Sequence, residues 1–161
     1  MDRTMFSRWD PLNPTNILAA IQLGWAFVVY HRPYLPEVLP SYSRFNALLP
    51  WPVWGWAALL IALGLLFTPR SSAWRLLAHA ACGMYFLLAS AAFGSGVGTT
   101  TAVTNCTILS GVSAVLFART AVHWAGSTGW WDRLVRHPPR WLRRLARVQE
   151  FKPDPEEQDG G

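Results

Sequence analysis

Between Glu37 and Asp132 the chain carries no aspartate or glutamate, and between Arg44 and Arg119 its only basic residues are Arg70 and Arg75. A water-soluble fold needs charge on each outward face, so a gap of this length points to lipid rather than water outside. Charged residues make up 14% of the chain and apolar ones 52%, where soluble domains have about 25% charged residues. Cysteine is scarce as well. Cys82 and Cys106 both lie inside apolar runs, which excludes a disulfide framework. No GxSxG, HExxH or P-loop pattern occurs. The apolar runs hold no acid, so the usual proton or sodium relay of a secondary transporter is missing. A single chain has one histidine in these runs, His79, and cannot form a bis-histidine haem. The expectation is a non-enzymatic protein with no catalytic residue, no cofactor and no metal; an enzyme reading survives only as a subunit of something larger.

Four apolar segments are present: TNILAAIQLGWAFVVY (15–30), WPVWGWAALLIALGLLF (51–67), AWRLLAHAACGMYFLLASAAF (73–93) and TTTAVTNCTILSGVSAVLFA (99–118). At about 1.5 Å per residue a span needs about 20 residues. The third and fourth segments meet this, the second is adequate, and the first is short, with Asn16 and Gln22 inside it. A buried helix of a soluble bundle would show a polar stripe. From Val53 to Phe67 the only polar side-chain atoms are the indole nitrogens of Trp54 and Trp56. The expected fold is therefore all-α: a polytopic membrane protein with four transmembrane helices over about 15–32, 51–68, 73–93 and 99–118. These form two helical hairpins within a 15–120 domain, followed by a C-terminal cytoplasmic amphipathic helix. Asp2 and Asp10 dilute the positive charge ahead of the first segment, and no small-x-small cleavage site follows it, so it reads as an uncleaved span.

With four spans both termini share a side, and that side holds every basic residue except Arg32 and Arg44. By the positive-inside rule residues 1–14 and the C-terminus are cytoplasmic, in a cell inner (cytoplasmic) membrane. Residues 31–50, with Pro33, Pro36, Pro40 and Pro50, read as a proline-stiffened irregular connection on the other side. GSGVG at 94–98 reads as the second tight turn there. Trp51, Trp54 and Trp56 are expected in the headgroup zone.

Residues 121–151 read as a basic interfacial segment. After Pro138-Pro139, Trp141, Leu145 and Val148 recur at helical spacing, while Arg140, Arg143, Arg144 and Arg147 occupy the other face. Such a helix suits an anionic leaflet, each Arg contributing about 1 kcal/mol. A docking site for a cytoplasmic partner is the alternative; a nucleic-acid partner is not expected, since no recognition module accompanies the arginines. Residues 152–161 read as an acidic disordered tail.

The fourth segment carries one unbroken line of small residues at steps of four and three: Thr100, Thr104, Thr107, Gly111, Ala114 and Ala118. Small residues let helix backbones approach closely in lipid, so these are the expected helix-packing positions. Their partner is a stripe within the chain (Ala78, Cys82, Ala89 and Ala92; Asn16, Ala20 and Gly24; or Gly55, Ala58 and Ala62) or a copy of the same helix in another subunit, where Asn105 would add to a polar seam. His79 and Asn105 are the candidate intramembrane polar residues. Folding the last two segments about the glycine turn sets His79 level with Ser110 to Ser113, where a hydroxyl would satisfy it.

Pro52, Trp54 and Trp56 at the entry to the second segment, the Arg70/Arg75-flanked short turn and the basic C-terminus together resemble the small four-span membrane proteins of tailed phages from GC-rich bacteria. The pattern covers roughly residues 11–120 and the basic helix. Some of these proteins are holin-like, and the resemblance implies a homo-oligomer or membrane partner within the bilayer; it carries over no catalytic residue. The two functional expectations are a permeabilising oligomer built on the fourth segment, and an accessory or scaffold subunit whose basic helix holds the inner leaflet or a cytoplasmic partner. Replacing Arg140, Arg143, Arg144 and Arg147 with Gln should loosen a 129–151 peptide from anionic vesicles, as a co-sedimentation titration would report; equal binding of both peptides would remove the interfacial reading.

Overall fold

The computed structural model describes residues 12–70, 72–97 and 100–129. Helix α1 (Pro14–His31) begins where Asn13 Oδ1 accepts the Thr15 N–H at 3.0 Å, with a proline at the first helical position, where no donor is needed. The proline-rich stretch after it is more regular than expected. It forms α2 (Leu35–Val38), a 3₁₀ turn (Pro40–Tyr42) and α3 (Phe45–Leu48), with Pro36 and Pro40 in the first turns of their pieces and Pro50 just before α4. Three long helices follow: α4 (Trp51–Phe67), α5 (Ala73–Val97) and α6 (Thr101–Ser127). The described residues contain no strand. Of the interfacial segment expected over 121–151, residues 121–127 continue α6, while 130–151, the acidic tail and the first eleven residues lie outside the described residues.

By length and composition, α5 over Ala73–Gly96 and α6 over Thr101–Ser127 can each cross a membrane. Pro40–Leu48 together with Trp51–Phe67, bent by 80° at their junction, makes a third candidate. The described residues thus hold two helices long and apolar enough to cross a membrane, or three if the bent pair is one span. The chain falls into two compact units, residues 1–124 and 125–161. In the described part of the second, α6 ends and Gly129 takes a left-handed φ of 60°.

Within the first unit many small side chains lie inside beside Leu18, Phe45, Trp54, Leu65 and Phe86, while many large apolar ones lie outside. Ala19, Ala58, Ala62, Cys82, Ala89 and Ala92 are fully buried, while Phe27, Leu60, Phe67, Trp74 and Val115 are each at least 60% exposed. A soluble core reverses that order, whereas small inward residues let helices in lipid approach closely. Gly55 brings α4 against α1 so tightly that a Cβ there would meet Val29 Cγ1 at 2.8 Å. At Gly64 the neighbour is Ala78 on α5, at 3.2 Å from the same notional atom. The α1 face that packs is Leu18, Ala19, Gln22, Ala26 and Val29; Ala20 and Gly24 point outward, one position off the expected stripe. The α4 and α5 stripes do face inward.

Two details of the ends differ from the expected layout. Helix α5 runs on through Gly94 and Gly96 rather than turning at them. At Gly96 a Cβ would lie 3.4 Å from Arg44 Cγ and 3.5 Å from the Pro40 carbonyl, so glycine there admits the 40–44 backbone. Of the three tryptophans at the start of α4, Trp51 and Trp54 are buried within the chain and Trp56 is exposed. Phe45, inserted from α3, meets Trp54 and Phe93 at 4.9 Å between ring centroids, and Trp25, Tyr42, Trp51 and Tyr85 extend the cluster. The Trp54 indole donates to the Phe45 and Leu49 carbonyls at 3.3 and 3.2 Å, so the α2–α3 segment is held by rings and hydrogen bonds together. At the opposite end Arg75 is buried and donates to the Thr68 carbonyl at 2.8 Å. One of the two arginines of the short turn thus closes the C-terminus of α4.

Replacing Gly55 with Leu should cost about 1–3 kcal/mol by overpacking against the stiff β-branched Val29. Gly24, with nothing within 4 Å of its notional Cβ, should accept Ala with no more than about 0.5 kcal/mol of change. Detergent-unfolding midpoints of the two variants would check the contrast.

Candidate functional site

The α6 face that packs within the chain is not the line of small residues singled out from the sequence. Ser90 Oγ on α5 donates to the Val103 carbonyl at 3.2 Å and lies 3.0 Å from Thr107 Oγ1. Ser110 Oγ donates to the Gly83 carbonyl at 3.0 Å, and Ser113 Oγ approaches Cys82 Sγ at 3.4 Å. Cys106, Ser110 and Ser113 are buried along this seam. Its backbones meet at Gly83, where a Cβ would lie 3.5 Å from Ser113 Cβ.

The predicted packing residues flank that seam. Thr107 touches it through Ser90, and Thr100 is half-buried at the helix start. Thr104, Gly111, Ala114 and Ala118 are exposed, and nothing lies within 4 Å of a Cβ placed on Gly111. The two outward hydroxyls are satisfied by their own helix: Thr104 Oγ1 donates to the Thr100 carbonyl at 3.4 Å, and Thr107 Oγ1 to that of Val103 at 2.8 Å. Only 17% of the α6 span window is buried, against 50% for α5. Asn105 is exposed too, but it lies about 100° round the helix from Thr104, on the side of exposed Ile108 and Val112. It therefore does not share a seam with the small residues.

His79 sits at the centre of the packed helices, 1% exposed. The register differs by about one turn from that expected, because α5 continues beyond Phe93. Cys82 and Gly83, not His79, stand beside Ser113 and Ser110, and His79 Nδ1 has no hydrogen-bond partner. Gln22 from α1 completes the group. It is fully buried, its Nε2 lies 3.6 Å from Cys82 Sγ, and its Oε1 has no partner. Tyr85, one turn further along α5, also has an unpartnered buried hydroxyl. Each such orphan costs about 1–3 kcal/mol if nothing pairs with it.

Sequence reasoning named His79 but passed over Gln22, Cys82 and Ser113 as a set. Gln22 and Cys82 are sixty residues apart, and no spacing rule joins them. The one available signal was an amide in the middle of an apolar run. Among the described residues no three His, Cys, Asp or Glu side chains come close enough to hold a metal ion. The interfacial residues Arg140, Trp141, Arg143, Arg144 and Arg147 lie outside the described residues. Comparison with protein-family models, with curated proteins and with solved structures gives no match for this chain.

Ser110→Ala should weaken the α5–α6 seam by about 0.6 kcal/mol, the usual size of an interhelical hydrogen bond in a bilayer. Asn105→Leu, on the uncovered side, should leave it unchanged; unfolding free energies in mixed micelles would separate the two.

Proposed function

We propose that the chain is a four-span, non-enzymatic membrane protein that self-associates through α6, as a holin-like permeabiliser of the kind encoded by tailed phages would. One observation carries this reading: the Thr104, Gly111, Ala114 and Ala118 face of α6 stays uncovered, whereas the small-residue stripes of α4 (Gly55, Ala58, Ala62) and α5 (Ala78, Cys82, Ala89, Ala92) are buried. The hydroxyls of Thr104 and Thr107 are already bonded to their own helix, so the face can meet a second backbone without stranding a polar group. Two further features support four spans. Helix α1 has 18 residues and α4 has 17, which gives each about 26 Å, just short of a hydrocarbon core of about 30 Å and within reach of slight bilayer thinning. Both also expose large apolar side chains, Phe27 and Leu60 among them.

The test is tightly induced expression in a bacterial host, with membrane potential and culture density followed together and self-association scored in a membrane two-hybrid assay. Wild-type chains should associate and depolarise the cell abruptly. Gly111→Leu should abolish both, because a large side chain blocks close approach of helices, while the single chain has open space at that position and should still fold. Undiminished association of the variant would overturn the α6 interface, and normal potential at good expression would overturn permeabilisation.

A further inference from the structure

The polar group at the centre of the bundle is unusual for what it leaves unpaired. Gln22, Cys82 and Ser113 are fully buried and His79 is 1% exposed. Cys82 Sγ lies 3.6 Å from Gln22 Nε2 and 3.4 Å from Ser113 Oγ, so a single sulfur links α1, α5 and α6. Gln22 Oε1 and His79 Nδ1 have no protein partner. Rotating the Gln22 amide does not help, since it would let the thiol donate to Oε1 but leave both protons of the NH₂ unbonded. His79 precedes Cys82 by three residues on the same buried face, a rise of about 4.5 Å. Gln22 on α1 and Trp25, one turn further, meet Cys82 and Tyr85 in the same order. The two helices therefore run parallel, and Ala19 stands level with His79. On antiparallel α4, Gly64 lies beside Ala78, which sets Ala62 near that level. Ala19 and Ala62 are fully buried, so methyl groups rather than long side chains flank the polar pair.

The geometry points to a binding site for ordered water at Gln22, His79 and Cys82, enclosed between α1, α5 and α6. Water both donates and accepts, so it satisfies the amide in either orientation and the imidazole in either tautomer. A buried water needs two to four polar partners; the amide, the ring nitrogen and the sulfur provide them. A metal ion fits the group poorly. His79 and Cys82 are the only two strong ligands, no third is in reach among the described residues, and the sulfur already faces two hydrogen-bond donors. The site shares no residue with the exposed α6 face of Thr104, Gly111, Ala114 and Ala118.

The experiment is solid-state NMR on the isotope-labelled full chain in lipid bilayers, measuring magnetisation transfer from water protons to side chains. Single Gln22→Met and His79→Phe variants assign the two signals. Transfer to the Gln22 amide and the His79 ring several-fold faster than to the Ala19 and Ala62 methyls is the expected result. Transfer no faster than to those methyls would show a dry site and overturn the proposal. Metal analysis of the same preparation supplies the second arm: one equivalent of copper or zinc, lost in Cys82→Ala, would overturn it in favour of a metal centre. The wild-type spectrum decides the matter even if a variant fails to fold, because chemical-shift assignment along α1 and α5 can replace the substitutions.

Discussion

Close approach of helix backbones is the constraint on which the rest of this structure depends. Helices surrounded by hydrocarbon gain little by hiding apolar side chains from it, so their association rests on van der Waals contact and interhelical hydrogen bonds. Gly55 against Val29, Gly64 against Ala78 and Gly83 against Ser113 are places among the described residues where helices achieve that contact. Where they bring the helices together, alanines fill the inner faces, and Phe27, Leu60 and Val115 are left on the outside, although Leu18, Leu65, Phe86 and Trp54 are fully buried.

The end of the bundle near residues 31–50 is stabilised differently. There the chain must leave one helix and enter the next; the Trp54 indole donates to the Leu49 carbonyl and also to that of Phe45, which accepts the Leu49 N–H as well. Stacked and edge-on rings around Phe45 add a rigid apolar contact on top of those bonds. At the other end one buried arginine does comparable work for the Thr68 carbonyl. In both places a side chain that reads from sequence as a marker of the membrane boundary acts as a local backbone partner.

The polar residues divide into two kinds. Ser90, Ser110 and Ser113 spend their hydroxyls on carbonyls and a sulfur across the α5–α6 seam or within α6, and so fasten one helix to the next. Gln22 and His79 are buried equally deeply, but Gln22 Oε1 and His79 Nδ1 have no protein partner. Helix α6, fastened along one side only, keeps a small-residue face free.

Composition and periodicity by themselves determined the class of structure. A helix that is apolar all round, such as 53–67, cannot be mistaken for a strand or a soluble helix, and the absence of acids between Glu37 and Asp132, with few arginines among them, leaves little charged surface to solvate. The inward faces of α4 and α5 were also legible, because Gly55, Ala58 and Ala62 and then Ala78, Cys82, Ala89 and Ala92 recur at helical steps on helices packed on one side. On α1 the same reasoning chose Ala20 and Gly24 instead of Ala19 and Gln22, since a helix rich in small residues offers two adjacent stripes that periodicity cannot rank. On α6 it found the uncovered stripe and missed the serine seam beside it. The tertiary structure alone decided which stripe meets a neighbour, that Gln22 reaches a cysteine sixty residues away, and that the 31–50 segment folds inward on Phe45. Those outcomes depend on the register between helices, and register is set by where glycines on one helix meet side chains on another, a relation that no single segment contains.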